Sequence, residues 1–213
     1  YSRGVDKGIV FFDDHDKKKF VNLLERYFGQ ENLWSRYPNY SQQVQLNAYC
    51  LMDNHFHLIV EILQEEAIVT QALSNLFNAY AKAYNKQQNR TGTLFERPYK
   101  RIKIKDESYL QNLILYIHKN PENHEIVSNF EKYKFTSYSA YFSKSNSLIS
   151  DSKPYVLNLF NDLQNFKFAH NSDLSGFKNL TGLPKPPTTI KNKFYQYIQD
   201  LQDSITSKLE AID

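Results

Sequence analysis

Several features are scarce or missing in this 213-residue chain, and each absence excludes a class of protein. The single cysteine excludes a disulfide framework and a cysteine zinc site, and it fits a reducing compartment. No apolar run approaches the roughly 20 residues that span a bilayer. The first residues, Tyr1-Ser2-Arg3-Gly4, do not resemble a signal peptide. We therefore expect a soluble, cytoplasmic protein with no membrane partner.

Aromatic residues and locally concentrated positive charge stand out against this ordinary background. The chain has 16 Tyr and 15 Phe but one Trp, and its formal net charge is only +3. One window, residues 82–105, carries eight basic residues against the single acid Glu96 and is therefore +7, so the remainder is −4. Such a window is either a solvated basic face or a surface for a phosphate backbone. We predict that it binds DNA through Lys82, Lys86, Arg90, Arg97, Lys100, Arg101, Lys103 and Lys105.

Hydrophobic periodicity predicts alternating helices and strands over the first two thirds of the chain. Residues 9–12 read as the remnant of a first strand, and a helix follows over residues 15–28. Residues 43–52 alternate, with Val44, Leu46, Ala48 and Cys50 expected on one face. The turn signal Asp53-Asn54 then joins them to a second strand in a β-hairpin.

The second half of this pattern adds helices and one more strand. A helix is predicted over residues 66–88, a strand with a basic outer face over residues 99–104, and a helix that Asp106 caps and Pro121 stops. Antiparallel strands with helices on one side predict an α+β, ferredoxin-like sheet. We expect one domain over residues 1–142 and a helical C-terminal extension over residues 143–213. Within that extension the pattern predicts a short helix over residues 154–160, a linker over residues 178–189 and an amphipathic helix over residues 190–212.

Two histidines in the hairpin's second strand are the first candidate site residues. His55 and His57 are two apart, so they point to one face of the strand, while Phe56, Leu58 and Val60 point to the other and read as core. Two imidazoles on one face make half of a divalent-metal site. The same pattern is more often that of two surface histidines, and both interpretations stay open at this point.

The helix that reaches Pro121 supplies residues that would complete such a site. Tyr116 and Asn120 are four apart and share a helix face. Beside a cation, a tyrosine can attack a phosphodiester and become a phosphotyrosine, and an amide oxygen suits Mg²⁺ or Mn²⁺. The rival nucleophile Tyr109 lies seven residues earlier, and a packed tyrosine is the alternative for Tyr116. His118 faces away, so we expect it to pack or cap.

Two blocks of this sequence resemble those of a known family. The run from Tyr49 to Glu61, with Asp53-Asn54-His55-Phe56-His57, resembles the HUH block of the REP-associated tyrosine transposases. These are relatives of the IS200-like single-strand transposases of bacterial insertion sequences. The run Tyr116-Ile117-His118-Lys119-Asn120-Pro121 resembles the second block of that family, and the order and separation of the blocks also fit.

The resemblance implies a fold, an activity and a set of site residues. The fold would be a ferredoxin-like HUH nuclease domain that binds single-stranded DNA beside a hairpin (REP-like) element. Tyr116 would be the nucleophile that holds the 5′ phosphate covalently. His55 and His57 would bind a divalent metal, Mg²⁺ or Mn²⁺, with Asn120 as the third ligand. Separately from the resemblance, we expect a monomer or a homodimer.

This sequence departs from the family after the second block. Where the family continues with a small or basic stretch, this chain has Glu122-Asn123-His124-Glu125, which affects the expected DNA contacts more than the chemistry. Two other functions stay open. One is a domesticated hairpin-binding protein with little or no cleavage, and the other is a metallohydrolase that uses activated water and needs no tyrosine.

Overall fold

A β-hairpin of two long strands forms the centre of the structure, a computed structural model that describes residues 1–28 and 44–172. Strand β2 spans Val44–Met52 and strand β3 spans His55–Ile62, and the short strand β1, Ser2–Arg3, pairs with the other edge of β3. All pairings are antiparallel, in the order β1-β3-β2. The predicted hairpin and its Asp53-Asn54 turn are therefore confirmed.

Five α-helices accompany the sheet within the described residues. The long helices match the predicted periodicity, although helix ends differ by a residue or two, as is usual. In chain order they are α1 (Asp14–Phe28), α2 (Glu66–Gln87), α3 (Glu107–Asn123), α4 (Lys153–Leu159) and α5 (Leu163–Asn171). The α+β prediction of an antiparallel sheet with helices packed on it is confirmed. None of these helices combines the length and apolar composition that crossing a bilayer requires.

The helices cover both faces of the sheet, so the expectation that they lie on one side was wrong. Phe20 of α1 and Phe77 of α2 pack their rings against Phe56, with centroids 4.8 and 5.5 Å away. Helix α3 lies on the opposite face, where its residue Asn120 contacts His55. Both faces of the hairpin are apolar enough to require a cover, and the chain supplies one on each side.

A β-bulge at Asn47 changes the predicted facing of strand β2. Leu46 pairs with Val60 and Ala48 pairs with Ile59, so one extra residue is inserted in β2. Directly paired residues share a face, and the bulge therefore moves Ala48 and Cys50 to the face of the histidines while Leu46 stays on the other. The prediction that all four apolar residues share one face was wrong for this reason.

Residues 95–100 replace the strand that was predicted over residues 99–104. Phe95 forms an isolated antiparallel bridge with Gly4, and the backbone N–H groups of Glu96 and Lys100 donate to Arg3 and Tyr1. Pro98 lacks an N–H donor and interrupts this ladder. The segment lies along the edge of β1, and the residues after it form no strand.

Two further predictions at chain segments were corrected by the structure. Val10 and Phe11 are buried in the core, but residues 9–12 form no strand. Helix α3 continues through Pro121 and ends at Asn123, because a proline near the end of a helix removes only one backbone hydrogen bond.

The chain divides into two compact units, Tyr1–Phe166 and Lys167–Asp213, of which the second is described only to residue 172. In the first unit, Ser152 beside α4 donates its hydroxyl to the Leu46 carbonyl at 2.6 Å. The predicted short helix over residues 154–160 is confirmed by α4. The linker and helix predicted over residues 178–212 lie outside the described residues, and the assignment of residues 143–213 as an extension stays a prediction.

Candidate active site

Strand β3 holds the two histidines next to each other on one face of the sheet. The ring centroids of His55 and His57 are 5.3 Å apart and the rings are nearly perpendicular, at 86°. His55 is 8% exposed and His57 is half-buried. The alternation of the strand therefore brings the two imidazoles together, as the sequence predicts, in a position that is largely shielded from water.

Helix α3 delivers two further predicted residues to the same face. Asp106 caps this helix by accepting a hydrogen bond from the backbone N–H of Tyr109 at 2.7 Å. The apolar side of the helix, which includes Ile114, is buried. The i, i+4 spacing then places Tyr116 and Asn120 over the histidines. The Tyr116 ring lies 5.8 Å from the ring of His57, at 89°, and Tyr116 is 37% exposed.

Asn120 lies directly against His55. Its side-chain Oδ1 is 3.3 Å from Nε2 of His55, and the residue is fully buried. Within the described part of the chain, the amide Nδ2 of Asn120 is buried and has no hydrogen-bond partner. A buried amide with an unsatisfied end is costly in a purely structural role, since each such group loses its hydration.

The donor set of His55, His57 and Asn120 fits a hard or borderline divalent ion. The amide oxygen suits Mg²⁺ and Mn²⁺, and the imidazole nitrogens suit borderline divalent ions of the first transition row; a six-coordinate ion would keep further positions for water and phosphate oxygens. No group of three or more His, Cys, Asp or Glu residues is arranged to hold a metal among the residues that the structure describes.

The electrostatics favour neutral imidazoles at the site. Burial lowers the pKa of His55 from 6.5 to about 4, against the opposing effect of its contact with Asn120. Burial and then the neighbouring charge of His55 lower the pKa of His57 well below its ordinary value. Because only the neutral imidazole has a lone pair for a metal, both side chains are ready to coordinate at neutral pH.

The structure also shows where His118 and Tyr109, the two other residues considered from the sequence, lie on α3. His118 is fully buried on the far side of α3 from Tyr116, with Nε2 2.7 Å from the hydroxyl of Ser137, so it packs in the core as expected. Tyr109 lies two helical turns before Tyr116, about 10 Å along the helix axis. The contact with His57 is made by Tyr116.

Four residues near the histidines were not identified from the sequence as part of the site. His124, one turn after Asn120, has its ring centroid 5.4 Å from that of His55. Tyr1 packs its ring 4.9 Å from His57, and Arg3 is the cross-strand partner of His55. The side chain of Asn54 contacts Nδ1 of His55 at 2.7 Å. The i+4 spacing was an available signal for His124, and the adjacency in sequence was one for Asn54. The positions of Tyr1 and Arg3 instead depend on the pairing of β1 with β3.

The fold divides the basic window into two groups. Lys82, Lys86 and Arg90 belong to α2 or its end, and α2 packs on the sheet face opposite the histidines. Residues 97–105 instead leave the edge of β1, where the backbone of Lys100 bonds to Tyr1. Arg101 in this segment forms an exposed ion pair with Glu66, with Nη1 and Oε1 2.6 Å apart. Arg97 also contacts Asn78 of α2, with Nη2 and Oδ1 3.3 Å apart. The second group is therefore joined to the histidine side through Lys100 and Tyr1, whose ring packs on His57, and to α2 through Arg97 and Arg101.

A family model supports the resemblance that the sequence carries. Residues 36–120, which include both histidines, Tyr116 and Asn120, match the family model described as "Transposase IS200 like". A solved structure described as a REP-associated tyrosine transposase bound to a REP hairpin is 13% identical to this chain. It aligns over 61% of this chain and 67% of its own, with a TM-score of 0.43. No curated protein matches the chain. The resemblance to IS200-like transposases is confirmed over the matched residues.

Proposed function

We propose, on the premise that residues 36–120 form an IS200-like transposase region, that this protein cuts and rejoins single-stranded DNA through Tyr116. The observation that supports this proposal most directly is the convergence of α3 and β3. Helix α3 brings Tyr116 to within 5.8 Å of His57, ring to ring, and Asn120 into contact with His55. A nucleophile and a metal-binding donor set thus share one partly shielded face.

The chemistry proposed for Tyr116 is a transesterification at phosphorus. The phenolic oxygen attacks a backbone phosphate, a new bond from Oη to phosphorus forms, and the bond from phosphorus to the 3′ oxygen breaks. The phenolic proton passes to solvent and the leaving 3′ oxygen takes up a proton. The 5′ phosphate of the downstream strand stays on the tyrosine, so attack by a 3′-OH reverses the step and joins strands.

His55, His57 and Asn120 are the residues that would hold the divalent cofactor, Mg²⁺ or Mn²⁺. When bound, such an ion neutralises charge on the phosphate and polarises its phosphorus–oxygen bonds. The residues of the chain orient the reaction: the buried Asn120 and the hairpin keep the donor set in place, while the 37% exposure of Tyr116 leaves it accessible to a strand.

The exposed segment of residues 97–105 is proposed to bind the DNA backbone beside the site. It carries Arg97, Lys100, Arg101, Lys103 and Lys105 and follows directly from the edge of β1. Positive charge on this segment would hold the strand and orient a phosphate towards Tyr116. The DNA target that we propose is a single strand beside a hairpin (REP-like) element.

The proposal is tested by trapping the covalent intermediate. The protein is incubated with Mn²⁺ and 3′-end-labelled single-stranded hairpin DNA, and a denaturant-resistant labelled adduct is expected on a gel. Tyr116→Phe should abolish the adduct, and the matched control Tyr109→Phe should keep it. An adduct that persists in Tyr116→Phe would show that the nucleophile is wrong.

Two other outcomes would replace the proposal with its alternatives. Hairpin binding without cleavage in any divalent metal would indicate a domesticated DNA-binding protein. Metal-dependent cleavage that survives Tyr116→Phe without an adduct would indicate a hydrolase that uses activated water.

A further inference from the structure

The side chain of Asn54 bridges the hairpin turn and the candidate metal ligand His55. Its Oδ1 is 2.7 Å from Nδ1 of His55, and its Nδ2 donates to the backbone carbonyl of Lys7 at 3.3 Å. We propose that Asn54 is a positioning residue that holds His55 with its proton on Nδ1, so that the lone pair of Nε2 faces the divalent ion. This inference rests on the proposed function, because it concerns the cofactor of that site.

The orientation of the Asn54 amide follows from its two partners. A backbone carbonyl only accepts hydrogen bonds, so the amide end that faces Lys7 must be the NH₂ group. The other end, the carbonyl oxygen Oδ1, therefore faces the ring of His55 and can only accept. Nδ1 of His55 must then carry the hydrogen, and the contact reads as Nδ1–H donating to Oδ1 of Asn54.

This tautomer decides what happens at the second ring nitrogen. A neutral imidazole has one N–H, so Nε2 of His55 is an acceptor with its lone pair directed at Asn120. Nε2 and Oδ1 of Asn120 are 3.3 Å apart and are then two acceptors that face each other. Neighbouring ligands of an octahedral ion with bonds of about 2.1 Å are about 3 Å apart. The spacing therefore suits a cation that both atoms share.

The same tautomer is compatible with the metal-free protein. If the Asn120 amide turns over, its Nδ2, which has no hydrogen-bond partner among the described residues, can donate to Nε2. His55 need not change in either case. The division of roles is then clear: Asn54 fixes the ring, and Asn120 responds to the ion.

Several hydrogen bonds and one ion pair fix the backbone around Asn54, and this fixes the position from which its side chain extends. The Asn54 carbonyl accepts the N–H of Gly4 at 2.9 Å. The carbonyl of Asp53 accepts the N–H groups of Val10 and Phe11, and its side chain pairs with Lys17, with Oδ1 and Nζ 2.6 Å apart. Outer partners of metal-binding histidines act in this way, fixing the tautomer and the direction of the ring.

The first test reads the tautomer directly and needs no variant. In ¹⁵N-histidine-labelled wild-type protein at pH 7.5, the ring nitrogens of His55 should show the proton on Nδ1, with and without Mg²⁺. The His55→Gln spectrum assigns the signals. A proton on Nε2 of His55 would overturn the inference.

The second test measures the affinity of the protein for Mn²⁺ without DNA, by electron paramagnetic resonance titration of the free ion. Asn54→Ala should weaken binding 10- to 100-fold, the range seen when such outer partners are removed. Asn54→Asp should retain binding, because a carboxylate also accepts from Nδ1–H. Asn75→Ala, at an exposed position on α2, is the matched control and should bind as wild type does.

The outcomes separate this inference from the function on which it rests. Equal Mn²⁺ affinity in folded Asn54→Ala and wild type, or no Mn²⁺ binding by wild type, would overturn the role of Asn54. A Tyr116 adduct could still form in that case. Conversely, an Nδ1–H tautomer and an Asn54-dependent affinity without any adduct would uphold the role of Asn54 while the proposed cleavage fails. Urea unfolding of each variant establishes that loss of binding is not loss of fold.

Discussion

The buried imidazole of His55 makes the stability of this protein depend on pH in a defined window. Its pKa is lowered from 6.5 to about 4, chiefly by burial, whereas in the unfolded chain it titrates at its ordinary value. Between pH 6.5 and about 4 the unfolded chain therefore binds a proton that the folded protein excludes. The free energy of unfolding should fall as the pH is lowered through this window, and the contribution is fully present above pH 6.5.

The size of this effect follows from the difference between the two pKa values. At 1.36 kcal/mol for each tenfold change in proton affinity, a fall from 6.5 to 4 corresponds to about 3 kcal/mol. His55 is 8% exposed, so solvent screening reduces this value only slightly. His55→Gln keeps a polar side chain of similar reach and removes the titration. Between pH 7.5 and 4, the free energy of unfolding of wild type should therefore fall by about 3 kcal/mol more than that of His55→Gln.

Urea denaturation followed by circular dichroism at half-unit pH steps measures the effect. A chelator is present throughout, since a bound ion would compete with the proton. His15→Gln, at an exposed position in α1, is the matched control and should follow the wild-type curve. Parallel curves for wild type and His55→Gln would refute the reasoning, because they would mean that His55 is protonated equally in the folded and unfolded chains.

Two other predictions concern the DNA surface and the core. Replacing Lys100, Arg101 and Lys103 with alanine should weaken single-strand binding and lower the slope of log affinity against log salt by about 2, since each lost phosphate contact accounts for about 0.7. The Lys82→Ala, Lys86→Ala double variant, on α2, should change that slope less, and an equal change in both would contradict the division of the basic window. His118→Ala should lower the free energy of unfolding by about 2–4 kcal/mol in urea, because it opens a cavity and removes one of the hydrogen-bond partners of the Ser137 hydroxyl. A loss below about 0.5 kcal/mol would mean that His118 is not part of the core.

Local patterns predicted the regular elements of this fold well, because their causes are local. The helical spacing of apolar residues and the Asp106 cap were enough for α1, α2 and the start of α3. Alternation and the Asp53-Asn54 turn were enough for the hairpin. Predictions failed where a distant partner decides the outcome. The bulge at Asn47 follows from the pairing of β2 with β3, and the hydrogen bonds of residues 95–100 follow from their position along the edge of β1.

The sequence also predicted the residues of the candidate site, but not how its two halves come together. Spacing placed His55 with His57 and Tyr116 with Asn120, because side chains two apart on a strand or four apart on a helix share a face. Spacing within one element does not predict that the two pairs lie close together. That prediction came from the family resemblance. Helix α3 reaches past Pro121, which the sequence predicted to be its end, and this extension places His124 beside His55.

The sequence by itself determined the chemical groups of this protein and their local directions: an imidazole pair, a tyrosine with an amide one turn later, and a basic window. Only the tertiary structure decided which of them lie together. It packed α3 on the histidine face, put α2 with Lys82 and Lys86 on the other, and placed Asn54 between Lys7 and the ring of His55. The physical reason is that facing within one element depends on its own repeat, whereas contact between elements depends on burying the apolar surface of the whole chain.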